Sequence, residues 1–149
     1  MIKNFTVYNS TKIKLDKRKI HNLLGKLKDE LNFSIISVEL NFVTSEEITE
    51  VNKNFLNHNF STDTITFNYS GRNDALDGEI FISLEDAQIN GKKIKIDFNI
   101  EILRLVIHSF LHLLGFDDTN TKDRTIMKKE ENRLVKKYQN YATKLVKNI

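Results

Sequence analysis

The stretch from Ile100 to Leu114 limits the possible folds more than any other. It is Ile, Leu, Val and Phe almost all round. A helix that is apolar on every side has no face to give to water, so it belongs at the centre of the fold. One narrow exception runs down it. Asp97, Glu101, Arg104, His108 and His112 follow one another at intervals of 4, 3, 4 and 4 residues. That spacing places them within roughly 80° on a wheel of 100° per residue. A polar stripe confined to one side of a buried helix lines a cleft. Its last two members are neighbours on the helix face, as i, i+4 residues are. Gly115 follows in the place of a C′ residue, which turns the chain back with φ > 0. The turn can carry Asp118 over the two rings. Two imidazole nitrogens and one carboxylate leave the fourth position of a tetrahedral ion open, the arrangement of a catalytic zinc site. Core histidines bonded to backbone carbonyls are the plain alternative. The i, i+4 pair followed by glycine and a carboxylate favours the metal.

The rest of the chain bounds the setting. Its 149 residues, 40% hydrophobic and 29% charged, fit one domain, 1–149, with a core of ordinary size. There is no cysteine, which removes disulfides and thiolate ligands and fits a cytoplasmic protein. The N-terminus lacks the apolar core of a signal peptide, and no run approaches a membrane span. Charge is unevenly placed. Residues 121–149 hold nine Lys and Arg against three acids, a net of +6, and the whole chain is only +3. A basic segment beside a metal site suits a polyanionic ligand. Lys128, Lys129, Arg133, Lys136 and Lys137 are the candidates, with a solvated helix face as the bland reading.

Periodicity supplies the remaining elements. Phe5 to Tyr8 reads as a strand and Asp16 to Phe33 as an amphipathic helix, with His21 on its surface. Ile36 to Val43 alternates as a half-buried strand. Thr44 and Glu47 form a capping box, so a helix runs from about Ser45 to Leu56. Residues 57–63 read as a loop, Thr64 to Tyr69 as a strand, Ser70 to Asp77 as a loop and Gly78 to Ser83 as a strand. Leu84 to Ile89 is a short helix ending at Asn90-Gly91. A last helix runs from about Thr121 to Tyr138 or beyond. The order βαβαββααα predicts an α+β domain, a small mixed four-stranded sheet packed by helices around the buried, metal-binding central helix.

Three blocks carry a family resemblance. Val51-Asn52-Lys53-Asn54-Phe55-Leu56, running on to Thr62-Asp63-Thr64-Ile65-Thr66-Phe67, is similar to an asparagine-containing helix and a T-D-V-L-S-F strand. Gly78-Glu79-Ile80-Phe81-Ile82-Ser83 is similar to G-D-I-x-I-S, and His108 to Asp118 to H-G-x-L-H-L-x-G-Y-D-H. Together they resemble the YbeY family of metal-dependent, single-strand endoribonucleases. The resemblance implies one Zn²⁺ or other divalent ion per chain on His108, His112 and Asp118. It implies single-stranded and ribosomal RNA as substrate, and the small ribosomal subunit and its assembly factors as partners. No membrane or DNA partner is expected. The implied work is rRNA processing, including late maturation of the 16S 3′ end, and ribosome quality control.

Three departures qualify the match. The family's third histidine is Asp118, a harder and anionic donor that leaves the metal preference open. The glycine after the first histidine is Ser109. The family arginine ahead of the T-D pair is Leu56, so His58 or Arg104 is a candidate for its role toward substrate phosphate. Asp117 and Ser109 are candidates to orient the ligands from behind. Asp63 and Glu79 are candidates to line the cleft, with strand-end capping as the alternative. Attack by water or by the ribose 2′-OH is equally open.

The rival readings are a zinc metalloprotease, a non-catalytic RNA-binding assembly factor with a structural metal, and an iron oxygenase. The protease motif H-E-x-x-H-x-x-G-x-x-H needs Glu as its general base where this chain has Ser109. The assembly factor would use the basic last helix for phosphates. The oxygenase would use two histidines and one carboxylate as a facial triad.

Overall fold

The computed structural model describes residues 1–56 and 62–147. Four strands, β1 (Phe5–Asn9), β2 (Ser34–Val43), β3 (Thr64–Asn68) and β4 (Ala75–Ser83), form one sheet in the order β1-β2-β4-β3. β1, β2 and β4 run parallel and β3 pairs antiparallel to β4 at the edge. Among the described residues, five helices pack around it: α1 (Lys17–Leu31), α2 (Ser45–Leu56), α3 (Leu84–Lys93), α4 (Phe98–Leu113) and α5 (Thr121–Tyr138), the last followed by a 3-10 turn, Gln139–Ala142. This is the expected α+β architecture with a mixed four-stranded sheet.

Side-chain alternation divides the sheet into two faces. Val38, Leu40 and Phe42 of β2 and Leu76, Ile80 and Ile82 of β4 point into the main core. There they join Leu24 and Leu27 of α1 and Ile107, Phe110 and Leu111 of α4, all essentially buried. The opposite face is thinner. Val43, Ile48 and Ile65 are buried there, with Val51, Phe67 and Phe81 partly covered. Helix α4 is therefore central, and eight of its apolar side chains are buried. Among the described residues, no helix is long and apolar enough to cross a membrane.

Local signals act as their chemistry demands. Thr44 and Glu47 close a reciprocal capping box: Thr44 N donates to Glu47 Oε1 at 3.1 Å and Glu47 N to Thr44 Oγ1 at 3.2 Å. Asp16 and Asp97 are N-caps of α1 and α4, accepting from Lys19 N and Asn99 N. α1 ends at Leu31, before Phe33, because Asn32 takes the left-handed conformation, φ 53°. Other boundaries differ from the sequence expectation. β4 starts at Ala75, within the expected loop. Ala75 and Leu76 pair with Ser34 and Ile35, so β2 also begins earlier; their apolar pair is masked in sequence by Asp74 and Asp77. α3 continues through Gly91 to Lys93. Gly91 is there for close packing: a Cβ would sit 3.0 Å from Ile96 O and 3.8 Å from Glu101 Cβ. His21 is also a correction. It is 7% exposed, packs edge-on against Phe5 and accepts a bond from Ile2 N. Burial pushes its pKa down.

Candidate metal centre

The last turns of α4 and the turn after it build the centre. Leu114 is the C-cap and Gly115 follows at φ +100°. Phe116 N donates to Leu111 O at 3.0 Å and Gly115 N to His112 O at 3.1 Å. These are the two bonds of a Schellman cap, and they fold the chain back over the helix end. Asp118 Oδ2 comes to 3.4 Å from His112 Nε2. His112 Nε2 in turn lies 3.2 Å from His108 Nε2. One ligand atom from each of His108, His112 and Asp118 fits within a mutual distance of 4.8 Å.

The other ring nitrogens decide what these atoms can do. His108 Nδ1 is 2.7 Å from Glu131 Oε1, and His112 Nδ1 is 3.2 Å from Phe116 O. Both partners are acceptors, so each neutral ring carries its proton on Nδ1 and turns the lone pair of Nε2 outward. In that tautomer two nitrogen lone pairs and a carboxylate oxygen converge. A cation satisfies such a set, and two imidazoles with one carboxylate suit Zn²⁺ or another first-row divalent ion. The residues present therefore fit the implied metal.

Glu131 anchors this arrangement, and the sequence reading missed it. It is buried, and besides His108 it accepts from Arg104 Nη1 at 2.7 Å and Lys128 Nζ at 3.1 Å. Burial raises its pKa, but the bonds from His108 and Arg104 and the charge of Lys128 outweigh that and hold it at about 2. A carboxylate behind a ligating histidine fixes the ring and makes it a better donor. A signal was present: Met127, Glu131, Leu134 and Tyr138 keep helical spacing on the inner face of α5, and all are buried.

The remaining candidates fall in different places. Ser109 is fully buried and donates to Leu105 O at 2.8 Å, so it supports no ligand. Asp117 accepts from Asp118 N, Thr119 N and Thr119 Oγ1. Those bonds hold its carboxyl below the ordinary value and make it a turn residue; Phe116 O and Glu131 orient the rings instead. Arg104 gives Nη1 to Glu131 and also to Asn132, at 2.8 Å. Glu79 lies on the sheet face away from α4 and accepts from Tyr69 Oη. His58 lies outside the described residues.

Two cavities meet at the centre. The larger, about 960 Å³, runs between α4 and α5 and is rimmed by Arg124, Lys128 and Lys129. The smaller, about 440 Å³, is lined along β3 by Thr64, Thr66 and Asn68. Asp63, His108 and Asp118 border both. Of the five basic candidates, Lys128 and Lys129 line the larger cavity. Arg133 and Lys137 pair with Glu30 of α1, and Lys136 borders neither. Among the described residues, Thr66 Oγ1 and Glu101 Oε1 are buried without a hydrogen-bond partner, and each side chain lines one of the two cavities.

Comparison with known proteins assigns the family. Residues 2–139 match the family model described as Endoribonuclease YbeY. The chain belongs to the YbeY family. Proteins named Endoribonuclease YbeY include one from Chlorobium limicola, 34% identical over 132 residues, covering 89% of this chain and 91% of the relative. Another, from Chlorobium phaeobacteroides strain BS1, is 36% identical over 128 residues, covering 85% and 91%. The solution structure of TM1509 from Thermotoga maritima superposes with a TM-score of 0.69 at 24% identity, over 93% of this chain and 92% of that one. It shares the fold. As a YbeY family member the chain is an enzyme of the endoribonuclease class, with a His-His-Asp group able to hold a metal.

Proposed function

We propose that this chain is a zinc-dependent, single-strand endoribonuclease that processes ribosomal RNA in the cytoplasm, with the small ribosomal subunit and its assembly factors as its surroundings and the late 16S 3′ end as a substrate. One observation carries the reading. Three donor atoms converge, backed by Glu131, on the border between a basic-rimmed cavity and a hydroxyl-lined one.

When bound, a divalent ion supplies Lewis-acid charge at a phosphoryl oxygen and lowers the pKa of a water. The chain's own residues do the rest. His108, His112 and Asp118 fix where that charge sits. Glu131 and Phe116 O hold the two rings with Nε2 outward. Arg124, Lys128 and Lys129 draw the phosphate backbone along the larger cavity. Arg124 and Lys128 take the phosphate-binding role that Leu56, at the exposed end of α2, cannot supply. Thr66 lines the smaller cavity, and its buried hydroxyl has no hydrogen-bond partner among the described residues.

The protease reading needs a base at position 109, and Ser109 is buried with its hydroxyl on Leu105 O. The test is cleavage of an end-labelled single-stranded rRNA fragment by zinc-loaded wild type and His112→Ala, purified side by side. Cutting by wild type alone supports the reading; equal cutting by both, or none by either with one zinc bound, removes it in favour of a metal-stabilised assembly factor. Product ends then assign the nucleophile, a 2′,3′-cyclic phosphate indicating the 2′-OH.

A further inference from the structure

The larger cavity has an acid in its wall that the metal centre does not use. Glu101 is 4% exposed, and its Oε1 has no hydrogen-bond partner among the described residues. Burial is the main cause that pushes its pKa up, and the charges of Asp63 and Glu131 add to it against Arg104 and Lys128. Arg104 is one turn along, but its Nη1 already serves Glu131 and Asn132. A buried carboxyl oxygen without a donor is a costly arrangement. It becomes favourable when the side chain turns its carboxyl into the cavity and a ligand brings the donors.

The walls restrict what that ligand is. Ile94, Ile96, Leu105 and Met127 line the same cavity, so the ligand has apolar faces. Arg124, Lys128 and Lys129 at the rim attract anionic groups. The Glu101 carboxyl repels them from the interior. A nucleotide meets all three conditions with its base inside and its phosphates at the rim and the metal group. Base edges then discriminate. A carboxylate presents two acceptors side by side, and guanine alone among the four bases offers two adjacent donors, N1–H and N2–H. Adenine and cytosine each set a ring-nitrogen lone pair beside their one amino donor. Uracil flanks its single N3–H with two carbonyl oxygens. We propose that the Glu101 carboxylate receives the Watson–Crick edge of a guanine whose neighbouring phosphate lies at His108 and Asp118, making the larger cavity a guanine subsite. This rests on the RNA reading above and adds a base preference to it.

The probes are the 3′,5′-bisphosphates of guanosine, inosine, adenosine, cytidine and uridine. They carry a phosphate on each side and no diester to cut. Calorimetric titration of the zinc-loaded full chain should find the guanosine compound bound about tenfold more tightly than the adenosine, cytidine or uridine ones. Inosine, which lacks the N2 amine, should fall between. Glu101→Gln keeps the shape but turns an amide N–H toward the guanine donors. It should bring guanosine down to the level of the others and leave their affinities alone, while its thermal unfolding matches or exceeds wild type because a buried charge is gone. Equal affinities for all five compounds overturn the proposal, as does a guanosine preference that survives Glu101→Gln. Cleavage of the labelled rRNA fragment is read separately. Cutting without guanosine selectivity sinks the subsite and keeps the nuclease; guanosine selectivity without cutting does the reverse.

Discussion

Replacing Glu131 by glutamine preserves the side chain's shape and removes its charge. In the native fold the side chain is 4% exposed and accepts from His108, Arg104 and Lys128. Burial works against ionisation there, yet these partners lower the pKa from 4.5 to about 2. At about 1.4 kcal/mol per unit, the shift corresponds to about 3 kcal/mol of stability that belongs to the ionised form. The sign follows from the direction. The folded value lies below the unfolded one, so the stabilisation is complete above about pH 5 and disappears as pH falls through 4.5 toward 2. Metal-free Glu131→Gln should therefore unfold in urea with about 3 kcal/mol less stability than wild type at pH 7, and the two should draw together below pH 4. The amide also offers an N–H to His108 Nδ1, which lets the ring move its proton to Nε2. Metal affinity should drop about 10- to 100-fold, as for other outer partners of ligating histidines. Equal stability at pH 7, or a gap that persists unchanged to pH 3, would show that this carboxylate does not do what its contacts imply.

Three further outcomes are expected. Gly115→Ala places a Cβ 2.8 Å from Asn73 Oδ1 at φ +100°. It should cost about 1–3 kcal/mol in thermal unfolding and weaken metal binding in a competitive chelator titration, because the turn carries Asp118; an unchanged titration curve contradicts this. Gly78→Ala sets a Cβ 2.3 Å from Phe67 O and 2.9 Å from Leu113 Cδ2. Backbone must move, so the loss should exceed about 3 kcal/mol, and a variant as stable as wild type in urea would refute the packing described. RNA binding should weaken with salt. Each of Arg124→Ala and Lys129→Ala should reduce the log–log slope by about 0.7, while Arg133→Ala and Lys137→Ala, at residues paired with Glu30, leave it as it is. Equal slopes across all four variants would place the strand elsewhere.

Helix α4 was legible because burial and polarity conflict in so few positions: an apolar helix with one polar stripe has one way to lie. The i, i+4 histidines and Gly115 were legible because helix geometry and the glycine cap are local rules. What depends on another segment was harder to read. Ala75 and Leu76 become strand through pairing with Ser34 and Ile35, and nothing in their own neighbourhood announces it. Gly91 resembles a helix stop, and only the approach of Ile96 O gives it a packing role instead. His21 was assigned to water on polarity, but Phe5 and Ile2 close over it. Glu131 was counted as one acid in a basic helix. Its place on the buried stripe with Met127 and Leu134 was visible, whereas its partners on α4 come together only in the fold.

The Schellman cap of α4 has a consequence for how such a site can change. The three donor atoms come from one helix end and its cap, so a short piece of chain decides where the ion rests. The walls on either side come from β3 and from α5, segments far apart in the chain. Substitutions in the walls, Glu131 apart, can therefore alter which strand is gripped, how tightly and in what register without disturbing the three donors. Changes around Gly115 move the ion and leave the grip intact.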